Sequence, residues 1–228
     1  MRIAYFVSPA WTGTKYAIHN THYDIRTAPR LSDAFAPNPC SLLPFMPPSS
    51  PKPVSASICE MTEIVLPNDT NSLGSMMGGR LLHLMDKCAA ISAQRHAHRV
   101  CVTAAVDNVE FQSAIREGEV VDVESRVNRA FRTSMEVELN VWAEDPRAQT
   151  RRKCNRAFYT FVALDDDRSP VAVPDIEPQT DEEQDRYEAA AKRRDVRLVL
   201  AGRKDLQDAD HLKADMLEAL RHTPAADA

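Results

Sequence analysis

Gly78-Gly79-Arg80-Leu81-Leu82-His83-Leu84-Met85-Asp86-Lys87-Cys88-Ala89-Ala90-Ile91-Ser92-Ala93-Gln94-Arg95-His96 is the stretch that decides the fold. Leu81, Leu82, Met85, Ala89 and Ser92/Ala93 recur at helical spacing, which predicts a helix over Arg80–His96 opened by the glycine pair. Small residues (Ala89, Ala90, Ser92, Ala93) cluster along it and polar positions are few early on, the mark of a helix wrapped by other structure.

Outward from this helix the period changes. Upstream, Ile58–Leu66 reads as a short strand, and Pro67-Asn68-Asp69-Thr70-Asn71-Ser72-Leu73-Gly74 is dense in turn formers. Downstream, Val100–Phe111, Glu119–Arg129, Thr133–Glu144 and Lys153–Leu164 are rich in Val, Phe, Tyr and Thr. Several alternate, as in Val121, Val123, Ser125, Val127 and Met135, Val137, Leu139, Val141, so they read as strands. Short links carrying Arg116-Glu117-Gly118 and Asp145-Pro146-Arg147 favour antiparallel neighbours. One helix against one face of such a sheet is an α+β domain.

Beyond the sheet, Thr180 followed by Glu183 gives a capping-box start to a second helix running to about Arg194. Asp205–Arg221 is again amphipathic, with Leu206, Leu212, Met216, Leu217 and Leu220. At the other end, residues 1–57 hold nine of the fifteen prolines and sustain no hydrophobic period. Such a segment stays extended or disordered. Its five Lys/Arg against two acids leave an organelle transit peptide as an alternative to an unstructured leader. The expected organisation is thus a leader over 1–57, one domain over 58–170, an extension with a capped helix over 171–200 and an amphipathic tail over 201–228.

Composition narrows the function classes. The chain has 228 residues, 43% hydrophobic and 27% charged, as in ordinary globular proteins. No apolar run approaches the ~18 residues of a membrane helix. The net charge of −5 excludes a general polyanion binder, so no nucleic-acid partner is expected, and any anionic ligand must meet a local basic patch. Five widely spaced cysteines without a C-x-x-C argue against a disulfide framework or zinc ribbon. Reduced thiols in a cytoplasmic setting are the expectation.

Four residues near the helix start are chemically suggestive. Gly78 and Gly79 let a ligand approach free N–H groups at the positive end of the helix dipole, which suits an oxygen gaining negative charge. Turns need glycine as well. Asp86 lies two turns into an apolar stretch, where a carboxylate must be paired, hydrogen-bonded or functional. A salt bridge to Lys87 or an exposed position is the plainer alternative. Asn71 could hold a water or polarise a carbonyl, or be an ordinary Asx-turn residue. His83 is a weaker candidate, and His96 with His98 at the helix end suits the dipole better than a metal, since no third ligand is in sight. Cys88 and Cys101 read as core residues. Neither a G-x-S-x-G elbow nor a P-loop or G-x-G-x-x-G is present. Arg129 and Arg132, and the run Lys192, Arg193, Arg194, Arg197, are two basic clusters that suit phosphates or a solvated surface.

Taken in order, Pro67-Asn68-Asp69-Thr70-Asn71, Met77-Gly78-Gly79-Arg80-Leu81-Leu82, Met85-Asp86, Ala93-Gln94-Arg95-His96, Val102-Thr103-Ala104, Val109-Glu110-Phe111, Arg132-Thr133-Ser134-Met135-Glu136-Val137, Phe161-Val162-Ala163-Leu164-Asp165 and Val173-Pro174 resemble the hotdog-fold acyl-CoA thioesterases, in their cytosolic acyl-CoA hydrolase branch. The resemblance spans about 135 of the 228 residues, from Ile64 to about Leu198. It implies a single hotdog domain, a curved antiparallel sheet wrapped around a long central helix. It implies hydrolysis of acyl-CoA to a carboxylic acid and CoA at sites shared across a homodimer, commonly within a trimer of dimers. Asn71 and Gly78 would come from one protomer and Asp86 from its partner, acting as general base or as nucleophile. Gly79, Thr103, Arg132, Thr133, Ser134 and Arg194 would hold the substrate, and no metal or organic cofactor is needed. Met77 and Phe131 depart from the family pattern, which has an aromatic residue and a glycine at these places in many and some relatives. A hotdog hydratase or dehydratase, which would use a histidine near the helix start, and a non-catalytic acyl-CoA sensor are the alternatives.

Overall fold

The structure, a computed structural model, describes residues 50–107 and 109–212. In chain order it comprises β1 (Lys52–Pro53), β2 (Cys59–Ile64), α1 (Gly78–Ala97), β3 (Val100–Val106), β4 (Val120–Ala130), β5 (Ser134–Asp145), β6 (Thr150–Leu164), β7 (Ile176–Glu177) and α2 (Asp181–Leu200). β2, β4, β5, β6 and β3 lie side by side in that order, every pairing antiparallel. The hotdog expectation holds: one curled sheet and one long helix.

α1 buries Leu81, Leu84, Met85, Cys88, Ala89, Ser92 and Ala93 against the sheet. The inward row of β5 (Met135, Val137, Leu139, Val141, Ala143) and of β4 (Val121, Val123, Val127) meets it, and all eight are at most 1% exposed. Alanines along α1 let the strands approach closely. A small polar contact crosses the same interface: Ser92 Oγ and Ser125 Oγ lie 2.6 Å apart, and Ser125 Oγ donates to the Cys88 carbonyl. Burial pushes the Cys88 thiol up to about 12 and the Cys101 thiol to about 11, so both are inert core residues.

The opposite face of the sheet is also covered. Glu136 follows Met135 and so points outward, yet it is fully buried because α2 lies over it. Arg193 and Arg197 of α2 both pair with its carboxylate. α2 starts as expected, with Thr180 Oγ1 accepting from the Glu183 N–H, while the Glu183 carboxylate accepts from the Gln179 N–H rather than from Thr180. It continues six residues past the expected end, to Leu200.

Several boundaries move. The folded part starts upstream of Ser57: Lys52 and Pro53 pair with Ile176 and Glu177, Val54 and Ser57 are buried, and Lys52 Nζ donates to the His96 carbonyl. β3 stops at Val106 rather than Phe111. A bulge at Ala104 loosens its pairing with β6, and Asp107 is drawn into an ion pair with Arg197. His96 is not a charged cap for the helix end. It is wholly buried, its Nε2 lies 2.7 Å from the Pro174 carbonyl, and burial holds its pKa below the usual value. The amphipathic stretch expected over Asp205–Arg221 falls largely outside the described residues. No helix among those described is long and apolar enough to cross a membrane.

Candidate active site

The loop before α1 is closed by its own polar side chains. Asn71 Oδ1 accepts from the N–H groups of Leu73 (2.9 Å) and Ser75 (3.3 Å), an Asx turn completed by Gly74 at φ +70°. Arg80, in the first turn of α1, ties the helix start back to Asp69 (2.8 Å) and Glu63 (3.1 Å). Backbone bonds from Met76 to Ile115 and from Glu117 to Gly74 join this loop to the segment between β3 and β4.

These ties shape a cleft of about 350 Å³ lined by Asn71, Met76, Gly78, Leu81, Phe111 and Ile115 among others. No side chain caps α1 at its N-cap, Met77. The N–H groups of Gly78 and Gly79, first in the helix, have no carbonyl of their own helix to bond. A Cβ on Gly78 would come within 3.2 Å of the Phe111 ring, whereas one on Gly79 would meet nothing. Space beside the backbone is therefore tight at Gly78 and open at Gly79. The Asn71 carbonyl oxygen is occupied by the turn, which leaves its Nδ2 amide, without a partner among the described residues, as the group it can offer. Asn71 is thus both the Asx-turn residue and a donor beside the helix start.

Asp86 lies elsewhere. It is half-buried, makes no salt bridge to Lys87, and accepts a 2.7 Å hydrogen bond from Thr103 Oγ1 on β3. The Tyr159 phenol below is pushed up to about 12, by burial first and by the Asp86 charge second. Gly78 and Asp86 are eight residues apart on one helix. That is about 12 Å along the axis, too far for both to touch one carbonyl group. The structure brings Asn71 and Gly78 into one cleft and Thr103 onto Asp86, and keeps the two pairs apart within the chain. Val100, Val102 and Val106 on β3 are exposed along the open edge of the sheet next to Asp86. His83 is exposed on α1, away from the helix start.

A third group lies at the β4–β5 turn. Arg194 Nη1 donates to Ser134 Oγ at 3.2 Å, and its guanidinium stacks on Phe131. Thr133 lies beside Ser134, and Arg132 is exposed with no ion pair among the described residues. Arg129 is taken up by Tyr187, over whose ring it stacks at 4.0 Å. Of the basic run on α2, Arg193 and Arg197 are spent on Glu136 and Asp107, so only part of that run can meet a ligand. Across the sheet Ser134 pairs with Val162 and Val162 with Val102, the residue before Thr103. Two strand spacings, about 10 Å, separate this basic turn from the Thr103 position.

The roles of three residues of the site escape a reading of the sequence, although Phe111 stands in one of the motifs that carry the resemblance. Phe111 falls at the end of an expected strand, and Arg152 and Asn155 sit in a basic run and a strand with nothing to mark them. Their contacts with the cleft loop appear only in the fold.

A family model described as the thioesterase superfamily matches residues 73–149. Acyl-coenzyme A thioesterase 11 of Mus musculus is 41% identical over 142 residues, which is 62% of this chain and 24% of that protein. The chain spans about a quarter of the length of the first curated relatives it matches. Among solved structures, an apo-hexameric acyl-CoA thioesterase is 38% identical with a TM-score of 0.66, covering 68% of this chain and 100% of that one. The acyl-CoA hydrolase of Staphylococcus aureus, solved with butyryl coenzyme A and coenzyme A, is 34% identical with a TM-score of 0.61, covering 66% of this chain and 94% of that one. Alanine variants of that hydrolase have been solved for one asparagine, one aspartate and one threonine. Those three residues follow one another at the intervals that separate Asn71, Asp86 and Thr103 here.

Proposed function

The chain belongs to the thioesterase superfamily, and we propose that it hydrolyses acyl-CoA thioesters to a carboxylic acid and free CoA. Water adds to the thioester carbonyl, the C–S bond breaks, and the proton passes to the sulfur of CoA. The observation that carries this reading is the open amide end of α1 at Gly78, in a mostly apolar cleft that also holds the Asn71 amide.

Each group then has a task. The carbonyl oxygen sits against the Gly78 N–H and gains negative charge as water adds; one such donor is typically worth about 3–4 kcal/mol of transition-state stabilisation. Asn71 Nδ2 donates to the same oxygen or to the attacking water. Asp86 takes the proton from water, or attacks the carbonyl itself and passes through an anhydride that water then opens. Thr103 holds its carboxylate in one orientation. The acyl chain lies along the apolar wall, where each buried CH₂ contributes about 0.8 kcal/mol. Arg132, Thr133, Ser134 and Arg194 meet the phosphates of CoA.

Because Gly78 and Asp86 of one chain cannot reach one carbonyl, a second copy supplies the acid. The exposed valines and unpaired backbone of β3 offer an edge for that pairing. The minimum species is a homodimer with two equivalent sites, and the hexameric relative supports a trimer of dimers. The four described cysteines, all free and buried, suit a reducing cytoplasm.

Release of CoA thiol from a panel of acyl-CoAs, acetyl to palmitoyl, tests the reading. Turnover with at least one member is expected. A folded protein that binds acyl-CoA and releases no thiol from any of them would make it a binding module instead.

A further inference from the structure

Phe111 is 52% exposed, yet its position is fixed from both sides. The residue before it, Glu110, gives its carbonyl to Asn155 Nδ2 at 2.8 Å, and the residue after it, Gln112, donates its N–H to the Cys154 carbonyl at 3.1 Å. The next turn of chain is held by one guanidinium. Arg152 donates from Nε to Ser113 Oγ (2.9 Å) and from Nη2 to the Ala114 carbonyl (2.7 Å). The same side chain makes a two-pronged pair with Glu119 at 2.8 and 2.7 Å. Three residues of β6 thereby hold the segment whose Phe111, Ala114 and Ile115 form one wall of the cleft. The aromatic ring lies directly over Gly78, close enough that a single methyl there would touch it.

Ile115 and Val109 tie this segment to the core, but Phe111 takes no part in that packing. The ring is half in solvent, and a loop tied by an arginine fork and a buried asparagine is more constrained than a surface connection needs. A rigid aromatic wall beside an amide that receives a carbonyl oxygen limits what can be attached to that carbonyl.

We propose that Phe111 is the residue that sets acyl-group selectivity in this site, and that Arg152 is the positioning residue that fixes it there. The proposal rests on the thioesterase reading and adds to it the feature that selects among acyl groups. Bulky or long acyl groups must pass the ring beside Gly78, and short ones need not.

The test is the ratio of kcat/KM for dodecanoyl-CoA to that for acetyl-CoA, measured for the full chain and for Phe111→Ala, Phe111→Leu and Arg152→Lys. One methylene in a shaped pocket changes kcat/KM by about 10-fold or more. Phe111→Ala is expected to raise the ratio at least about tenfold, with Phe111→Leu in between. Arg152→Lys keeps a charge for Glu119 and loses the fork to Ser113 and Ala114. It is expected to move the ratio in the same direction by a smaller factor. A uniform fall in kcat at an unchanged ratio in Phe111→Ala would overturn the proposal while leaving thioester hydrolysis intact. A shifted ratio in Phe111→Ala with none in Arg152→Lys would remove Arg152 from it. Wild-type protein that hydrolyses neither ester nor any other acyl-CoA would overturn the underlying reading itself.

Discussion

Thr103 Oγ1 donates a 2.7 Å hydrogen bond to Asp86 Oδ1, across from the edge strand β3 to the central helix. It is the one hydrogen bond found for this carboxylate among the described residues, and no cation faces it there. The hydroxyl has no counter-charge to offer, so it orients Asp86 without neutralising it. A carboxylate kept in place and unpaired is suited to accept a proton or to attack.

Asp86→Asn keeps an oxygen for Thr103 and removes the base. Turnover is expected to fall about 10²–10⁴-fold with the thermal transition nearly unchanged. Thr103→Val is expected to lower kcat about 10–100-fold, as the loss of a hydrogen bond to a charged group. Steady-state kinetics beside circular-dichroism melts check both. Near wild-type kcat in a folded Asp86→Asn protein would exclude Asp86 from the chemistry.

The two glycines at the helix start separate in a similar experiment. Gly79→Ala meets no neighbour and is expected to leave stability unchanged or raise it by about 0.4–1 kcal/mol. Gly78→Ala drives a methyl against Phe111 and blocks the carbonyl's approach to the N–H, so kcat/KM is expected to fall far more than for Gly79→Ala. Equal losses in the two variants would contradict the assignment of Gly78.

Arginines on one small region of surface differ in what they do. Arg132→Ala is expected to raise KM for acyl-CoA, most steeply at low ionic strength, with little change in stability. Arg193→Ala leaves the buried Glu136 with Arg197 as its one cation, beside a long bond from Asn128, and is expected to destabilise the fold by about 3 kcal/mol. Chemical denaturation and KM measured across a salt series distinguish the two. A KM for Arg132→Ala that matches wild type at every salt concentration would take it out of the CoA site.

Acid is expected to weaken the fold in two stages. Burial, with Lys52 and His98 nearby, holds His96 below its ordinary 6.5 against the opposing pull of the Pro174 carbonyl. The unfolded chain therefore binds this proton first, and stability is fully present above about pH 6.5 and declines below it. The Arg152 hydrogen bonds hold the Glu119 carboxyl below 4.5, so its contribution is present above that value and lost as pH falls through the lower folded value. Denaturation midpoints measured from pH 8 to pH 2 check this. His96→Gln is expected to flatten the upper stage alone.

How much of this was legible in the sequence follows from what kind of signal each residue leaves. α1 and the strands declare themselves by period, since Leu81, Met85 and Cys88 or Val121, Val123 and Val127 must all face one core. Residue chemistry left Asn71, Gly78 and Asp86 with a structural and a chemical reading each, because an Asx turn, a helix-start glycine and a helical acid have common structural uses, and only the resemblance favoured the chemical one. The structure adds that Asn71 closes the Asx turn with its oxygen and keeps its amide open among the described residues. β3 was read too long because Val109 and Phe111 carry strand-like side chains, while the bulge at Ala104 and the pull of Arg197 on Asp107 are contacts between distant segments. Arg193 and Arg194 look alike in sequence, and only the path of α2 over β5 gives one to Glu136 and the other to Ser134. Arg152 is invisible for the same reason.

The most direct test of a site divided between two copies is complementation. Asn71→Ala and Asp86→Asn chains, each inactive alone, are co-expressed with different tags and the mixed dimers isolated. In such a dimer one site carries both changes and the other carries neither. About half the wild-type turnover per dimer is the expected result. Verified mixed dimers that remain inactive, or a monomeric species with full activity, would contradict the shared site.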